Sequence, residues 1–151
     1  MANMTAERTN TVVAIVNTND DLVQSLKDVL ETEGYAVVTL RIRDIKAGKT
    51  DFTGFLAAHD PAVVIYDIAV PYETSWTFFQ TLRKLPECQN RKFIVTTVNK
   101  RVMEERVGKT DVIEIVGGRA QDFEPTLEAV KEAVQPYLTA FPPVRLSGTN
   151  L

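Results

Sequence analysis

The sequence predicts an α/β fold in which one parallel sheet is covered by helices on both faces, and three observations carry that prediction. Strand-like and helix-like patterns alternate along the chain, the signature of consecutive βαβ units. The run from Ala62 to Tyr66 is apolar without alternation, so it reads as a strand buried on both faces of a parallel sheet. That run ends in an acid, Asp67, before the chain turns through Ile68, Ala69 and Val70 into Pro71. In open sheets of this class the ligand crevice lies outside the carboxyl ends of the strands, which makes Asp67 the first candidate for a functional group. The same place also suits an acid that caps the turn into the next helix.

The elements follow in order. Thr11 to Val16 is the first strand, and Asn19, Asp20 and Asp21 supply capping oxygens for a helix with Leu22, Val23, Leu26, Val29 and Leu30 on its apolar side. Gly34 ends that helix. Tyr35 to Leu40 is the second strand, followed by the polar stretch Arg41 to Thr50 and a short helix carrying Phe52, Phe55 and Leu56. After the third strand, Trp76, Phe79 and Leu82 recur at helical spacing until Pro86. Phe93 to Val98 is the fourth strand. Asn99 caps a helix that Gly108 terminates after Val107, Val112 to Val116 is the fifth strand, and Leu127, Val130, Val134, Tyr137 and Leu138 mark the last helix.

A chain of 151 residues with 44% hydrophobic and 25% charged side chains can bury about two thirds of its unfolded surface as one domain. That domain is expected over residues 10–138, with 1–9 as an N-terminal extension and 139–151 as a loosely held C-terminal tail. Seventeen Lys and Arg against twenty Asp and Glu leave a net charge of -3, so no global basic field attracts nucleic acid or an anionic membrane. The single Cys88 has no intramolecular disulfide partner. The N-terminus lacks the apolar core of a signal peptide and no apolar run is long enough to span a bilayer, so a cytoplasmic location is expected.

With five strands and five helices in this order, the chain resembles a response-regulator receiver domain, the phosphoacceptor module of two-component signalling. Three spacings carry the resemblance over residues 10–138: the first strand to Gly34, Asp67 to Pro71 four residues on, and Asp67 to Thr97 thirty residues on. It implies a flavodoxin-like (βα)5 receiver fold, a parallel five-stranded sheet in the order 2-1-3-4-5. It further implies that Asp67 is the phosphoacceptor, attacking a phosphoryl donor to become an aspartyl phosphate, and that Thr97 is the switch hydroxyl which binds a phosphoryl oxygen. A β-branched residue closing a strand is the plainer account of Thr97.

The departures from the family pattern weigh more than the matches. Receivers place two adjacent acids after the first strand, where they hold Mg²⁺ together with the phosphoacceptor. Counting back from Gly34 puts Asn17 and Thr18 at those places, and neither is anionic. Shifting the alignment to Asp20 and Asp21 spoils the distance to Gly34 and removes the helix cap. At an effective dielectric of about 20, a unit charge pair about 4 Å apart is worth roughly 4 kcal/mol before desolvation. Losing two carboxylates therefore costs orders of magnitude in affinity for a hard cation, and weak Mg²⁺ binding with no resident cofactor is expected.

The lysine that receivers carry after the fifth strand is missing as well. Gly118 occupies its place and Arg119 is the nearest cation, with a bidentate guanidinium that suits phosphate as well as a solvated loop. On the loop after Asp67, Tyr72 is the candidate contact residue, whereas Trp76 reads as the inward side of its helix. Lys100, Arg101, Glu104, Glu105 and Arg106 make one helix highly charged, ordinarily a solvated face. In receivers the face made by the fourth helix, fifth strand and fifth helix is the usual output and dimerisation surface.

Two functions from this class compete. The first is a stand-alone receiver-like signal transduction module with a degenerate phosphorylation pocket, not an enzyme, acting through protein contacts with a histidine kinase, a downstream effector or a second copy of itself. The second is a conventional response regulator phosphorylated on Asp67 by a partner histidine kinase, with the kinase or Arg119 supplying what the pocket lacks. A flavodoxin-like cofactor enzyme is a third class, but Asn17, Thr18 and Asn19 lack the glycine a phosphate cradle uses. His59 is the only histidine and reads as a surface residue rather than a metal ligand.

Overall fold

The computed structural model describes residues 11–115 and 120–140. Five parallel strands, β1 (Val12–Asn17), β2 (Ala36–Arg41), β3 (Val63–Asp67), β4 (Lys92–Thr97) and β5 (Ile113–Glu114), form one sheet in the order β2-β1-β3-β4-β5. This is the expected order. Six α-helices accompany them among the described residues: α1 (Asp20–Thr32), α2 (Ile42–Lys46), α3 (Phe52–His59), α4 (Tyr72–Arg83), α5 (Lys100–Val107) and, after the last strand, α6 (Glu124–Ala140). Short 3-10 turns lie at Pro86–Cys88 and Ala120–Phe123.

Because the central strands are buried on both faces, their side chains alternate between two separate apolar layers. Ala14, Val16, Val64 and Tyr66 face one way and join Phe52, Leu56, Tyr72, Phe79 and Met103. Val13, Ile15, Val63 and Ile65 face the other way, with Leu26 and Leu30 of α1, Phe123 of the second 3-10 turn, and Leu127 and Val130 of α6. Tyr66, Phe79 and Phe93 interlock by tilted and edge-on ring contacts, with centroids 4.8 and 5.8 Å apart.

Helix termini follow the sequence signals. The Asn19 side chain accepts from Leu22 N at 3.0 Å and the Asn99 side chain from Val102 N at 3.2 Å, so each asparagine satisfies a backbone donor of the first turn. Asp20 is instead the first residue of α1, where its carboxylate accepts from Nε and Nη2 of Arg41 at 2.9 and 2.7 Å. Gly34 closes α1 at φ 99°, a left-handed turn that a side chain would strain, and donates to Glu31 O at 3.0 Å.

Two elements depart from the expectation. The polar stretch after β2 contains α2, anchored by the buried Ile42 and by Ile45 against the same layer. Where Val112 to Val116 was expected, the fifth strand among the described residues pairs through Thr96↔Ile113 and Thr97↔Glu114, with Ile115 N donating to Thr97 O at 2.8 Å. Val116, the 1–9 extension and the tail from Phe141 lie outside the described residues, while α6 reaches Ala140, past the expected domain limit at 138.

Candidate functional site

The site is built by strand register. β1 and β3 run in parallel with Val16 opposite Tyr66, so one step further on Asn17 arrives beside Asp67 at the carboxyl end of the sheet. β3 and β4 pair with Asp67 opposite Thr96. In-register neighbours in a sheet point to the same face. Asn17, Asp67 and Thr96 therefore all project toward the α1 and α6 side, and all three are buried.

The hydrogen bonds follow from that placement. The Thr96 hydroxyl donates to Asp67 Oδ1 at 2.9 Å. The Thr97 hydroxyl, one residue on and therefore on the opposite face, donates to the Ile68 carbonyl at 2.8 Å. Ile68 N in turn donates to Thr96 O at 2.8 Å, which fastens the backbone just after the acid to β4. Thr97, expected as the hydroxyl that binds a phosphoryl oxygen, is here engaged with the Ile68 carbonyl, and the hydroxyl that faces the Asp67 carboxylate is that of Thr96. Counting residues from Asp67 gives the strand end, but the register decides which of two consecutive threonines faces the carboxylate. No feature of the sequence singled out Thr96.

Asn17 is only 4% exposed and its amide oxygen is already engaged, accepting from Thr18 N at 2.6 Å and Asn19 N at 3.0 Å. It shapes the turn from β1 into α1 in the manner of an Asx turn. Thr18 is exposed on that turn. Asp20 and Asp21 sit in the first turn of α1, both exposed, and Asp20 is paired with Arg41. They supply no second carboxylate beside Asp67.

Burial governs the electrostatics. Removing Asp67 from water pushes its carboxyl up to about 6, and the Thr96 hydrogen bond pulls less strongly the other way. Burial likewise raises the neighbouring Tyr66 phenol, with the Asp67 charge adding to the effect. The register neighbours of the Asp67 carboxylate are the Thr96 hydroxyl and Asn17, whose amide oxygen already accepts two N–H bonds, while Glu114 at the end of β5 accepts from Lys100 N and Asp20 pairs with Arg41. Among the described residues no three His, Cys, Asp or Glu side chains converge as metal ligands. That donor set does not fit Mg²⁺, a hard cation that needs several oxygen ligands in near-octahedral order. Gly118 and Arg119 lie outside the described residues.

The predicted contact residue Tyr72 is also corrected. It is the first residue of α4 and only 7% exposed, its ring belonging to the apolar layer with Tyr66 and Phe79. Pro71 at the N-cap starts the helix sooner than a loop reading allows, and Tyr72 points inward while Glu73 and Thr74 are exposed. The rim is apolar elsewhere. Val70 on the β3–α4 loop is 71% exposed and Val98 on the β4–α5 loop 56%, the two large hydrophobic side chains the described surface leaves in water. Both lie at the carboxyl end of the sheet, three residues after Asp67 and two after Thr96. Trp76 is half-buried against the core, as its spacing predicts, and His59 is exposed at the end of α3, its ring 4.7 Å from Phe55.

No protein-family model matches the chain, and no curated protein matches it. Solved structures do. The chemotaxis protein CheY4 of Vibrio cholerae is similar over 80% of this chain and 98% of its own, with 19% identity and a TM-score of 0.55. The response regulator TrrA of Thermotoga maritima, in complex with Mg²⁺-BeF, is similar over 82% of this chain and 98% of its own, with 23% identity and a TM-score of 0.57. A further response regulator from Thermotoga maritima gives 22% identity and a TM-score of 0.56. The chain has the CheY-like receiver fold.

Proposed function

We propose that this protein is a receiver-like signal transduction module whose phosphorylation pocket is degenerate, and that it passes its signal through protein contacts made at the carboxyl end of the sheet. One observation carries the reading. Asp67, at the phosphoacceptor position of the fold, is buried with a threonine hydroxyl and an internally bonded asparagine as its neighbours, and no second carboxylate stands beside it among the described residues. Phosphoryl transfer depends on positive charge placed against the developing anion. With weak Mg²⁺ binding, Asp67 is a poor acceptor. The apolar rim formed by Val70 and Val98 supports a partner that docks over the pocket and reads the state of the two loops.

In this reading the protein is not an enzyme, is located in the cytoplasm, and has a histidine kinase or downstream effector as its partner class. No helix among the described residues is long and apolar enough to cross a membrane. Incubation of the wild type and Asp67→Asn with acetyl phosphate and Mg²⁺, followed by intact mass, tests the proposal. The expected result is no phosphoryl adduct on either protein. A stable adduct on the wild type that Asp67→Asn abolishes overturns the degenerate pocket and establishes a conventional response regulator.

A further inference from the structure

β5 is two residues long while β4 is six, so Lys92 to Val95 run along an edge with no strand beside it among the described residues. Lys92 N donates across to Ala62 O at 3.0 Å on the β3 side. Strand alternation then turns the backbone of Phe93 and the N–H of Val95 toward the open side. That side is a groove of about 530 Å³ between the two helix layers, walled by Trp76, Phe79 and Arg83 of α4 on one face and by Ala129 of α6 on the other. Its volume falls within the ~300–1,000 Å³ usual for ligand sites.

Open edges are templates for another strand, and proteins ordinarily blunt them with charge or a covering loop. Here the charge is of one dominant sign. Arg83, Arg91 and Lys92 line the groove against the single acid Asp111, in a chain whose net charge is -3. Arg91 is anchored to Asp60 at 2.8 Å, which leaves the exposed Arg83 and Lys92 as the cations presented to a ligand. Half-buried Trp76 and Phe93 supply apolar contact between them.

We propose that this groove accepts an extended acidic segment of a partner protein as an added strand continuing β5, with the side chains of one face against Trp76 and Phe93 and within reach of the Arg83 guanidinium, and the carboxylates of the other face toward Lys92. The proposal deepens the reading that the module signals through protein contacts, and it places one contact away from the Asp67 rim. Main-chain bonds to the edge give affinity and the flanking pockets give selectivity. The chain's own segment 141–151 contains Arg145 and no acid, so its charge does not match the groove.

The test uses the full-length chain labelled with ¹⁵N and a fluorescein-labelled hexapeptide of alternating valine and glutamate, with the valine–lysine counterpart as control. The glutamate peptide is expected to shift the Phe93 and Val95 amides saturably and to slow their exchange. Reversal of both charges, Arg83→Glu with Lys92→Glu, is expected to weaken it by at least about tenfold and to transfer preference to the lysine peptide, with the circular dichroism spectrum unchanged. Equal binding of both peptides, or no shift at Phe93 and Val95 with either at millimolar concentration, overturns the proposal. Protection of those two amides in the free, dilute protein overturns it too, because the chain or a second copy then fills the groove. None of these results depends on the acetyl phosphate experiment, so the two readings fail separately.

Discussion

Replacing Asp67 by asparagine should stabilise the protein at neutral pH, and the size of the effect follows from the burial of the carboxylate. In the fold its pKa is raised from 3.8 to about 6. At about 1.4 kcal/mol per unit, ionisation of the buried group costs an amount that grows from zero near pH 3.8 to about 3 kcal/mol above pH 6. A carboxyl raised by folding contributes stability that is fully present below its unfolded pKa near 3.8 and is lost as pH rises through about 6. The asparagine of the variant keeps an oxygen for the Thr96 hydroxyl but brings an N–H₂ group that needs partners, which offsets part of the gain. The net expectation is about 2 kcal/mol in favour of Asp67→Asn at pH 7.5, or about 4–8 °C in Tm for a domain of this size, shrinking toward zero or reversing near pH 4. Thermal unfolding of both proteins by circular dichroism between pH 4 and pH 8 measures it. A Tm difference that stays constant across this range refutes the reasoning. So does a wild type that gains on the variant as pH rises, since a cation would then be holding the carboxylate charged.

The other predictions concern the residues around that acid. Thr96→Val should raise the Asp67 pKa further, read by ¹³C titration of the carboxyl, and lower stability by about 1–3 kcal/mol through an unsatisfied buried acceptor; Thr97→Val should leave the titration in place while losing about 1 kcal/mol with the Ile68 carbonyl bond. Tyr72→Ala should lower the urea midpoint by the equivalent of about 3 kcal/mol, the cost of emptying a core position, whereas a loop contact residue would lose almost nothing. Asn99→Ala should cost about 1 kcal/mol through the lost cap of α5, seen as faster amide exchange at Val102.

The parts of the fold that were legible are those with local signatures. The unbroken apolar run before Asp67 marked a central parallel strand because such strands are covered on both faces. Asn19, Gly34, Asn99 and Gly108 marked helix ends because caps are satisfied by nearby backbone groups. What depends on long-range pairing was less legible. The length of β5 is set by how far Ile113 and Glu114 stay beside Thr96 and Thr97, and the apolar run from Val112 to Val116 carries no record of that. The choice between Thr96 and Thr97 is likewise a property of the β3–β4 register. Helix α2 was hidden because only Ile42 and Ile45 give an otherwise polar stretch an apolar side. At the site, the lack of acids beside Asp67 was readable from Asn17 and Thr18, while the commitment of the Asn17 oxygen to Thr18 and Asn19 required coordinates.

A Mg²⁺ titration of the full-length protein, followed at the Asp67 carboxyl by ¹³C resonance and at the Thr96 amide by ¹⁵N, tests the degenerate pocket most directly. The expected result is no saturable shift at either group through tens of millimolar Mg²⁺, and an Asp67 pKa that stays near the raised value of about 6 in its presence. A site that saturates at submillimolar Mg²⁺, moves the Asp67 pKa downward and disappears in Asp67→Asn would contradict it.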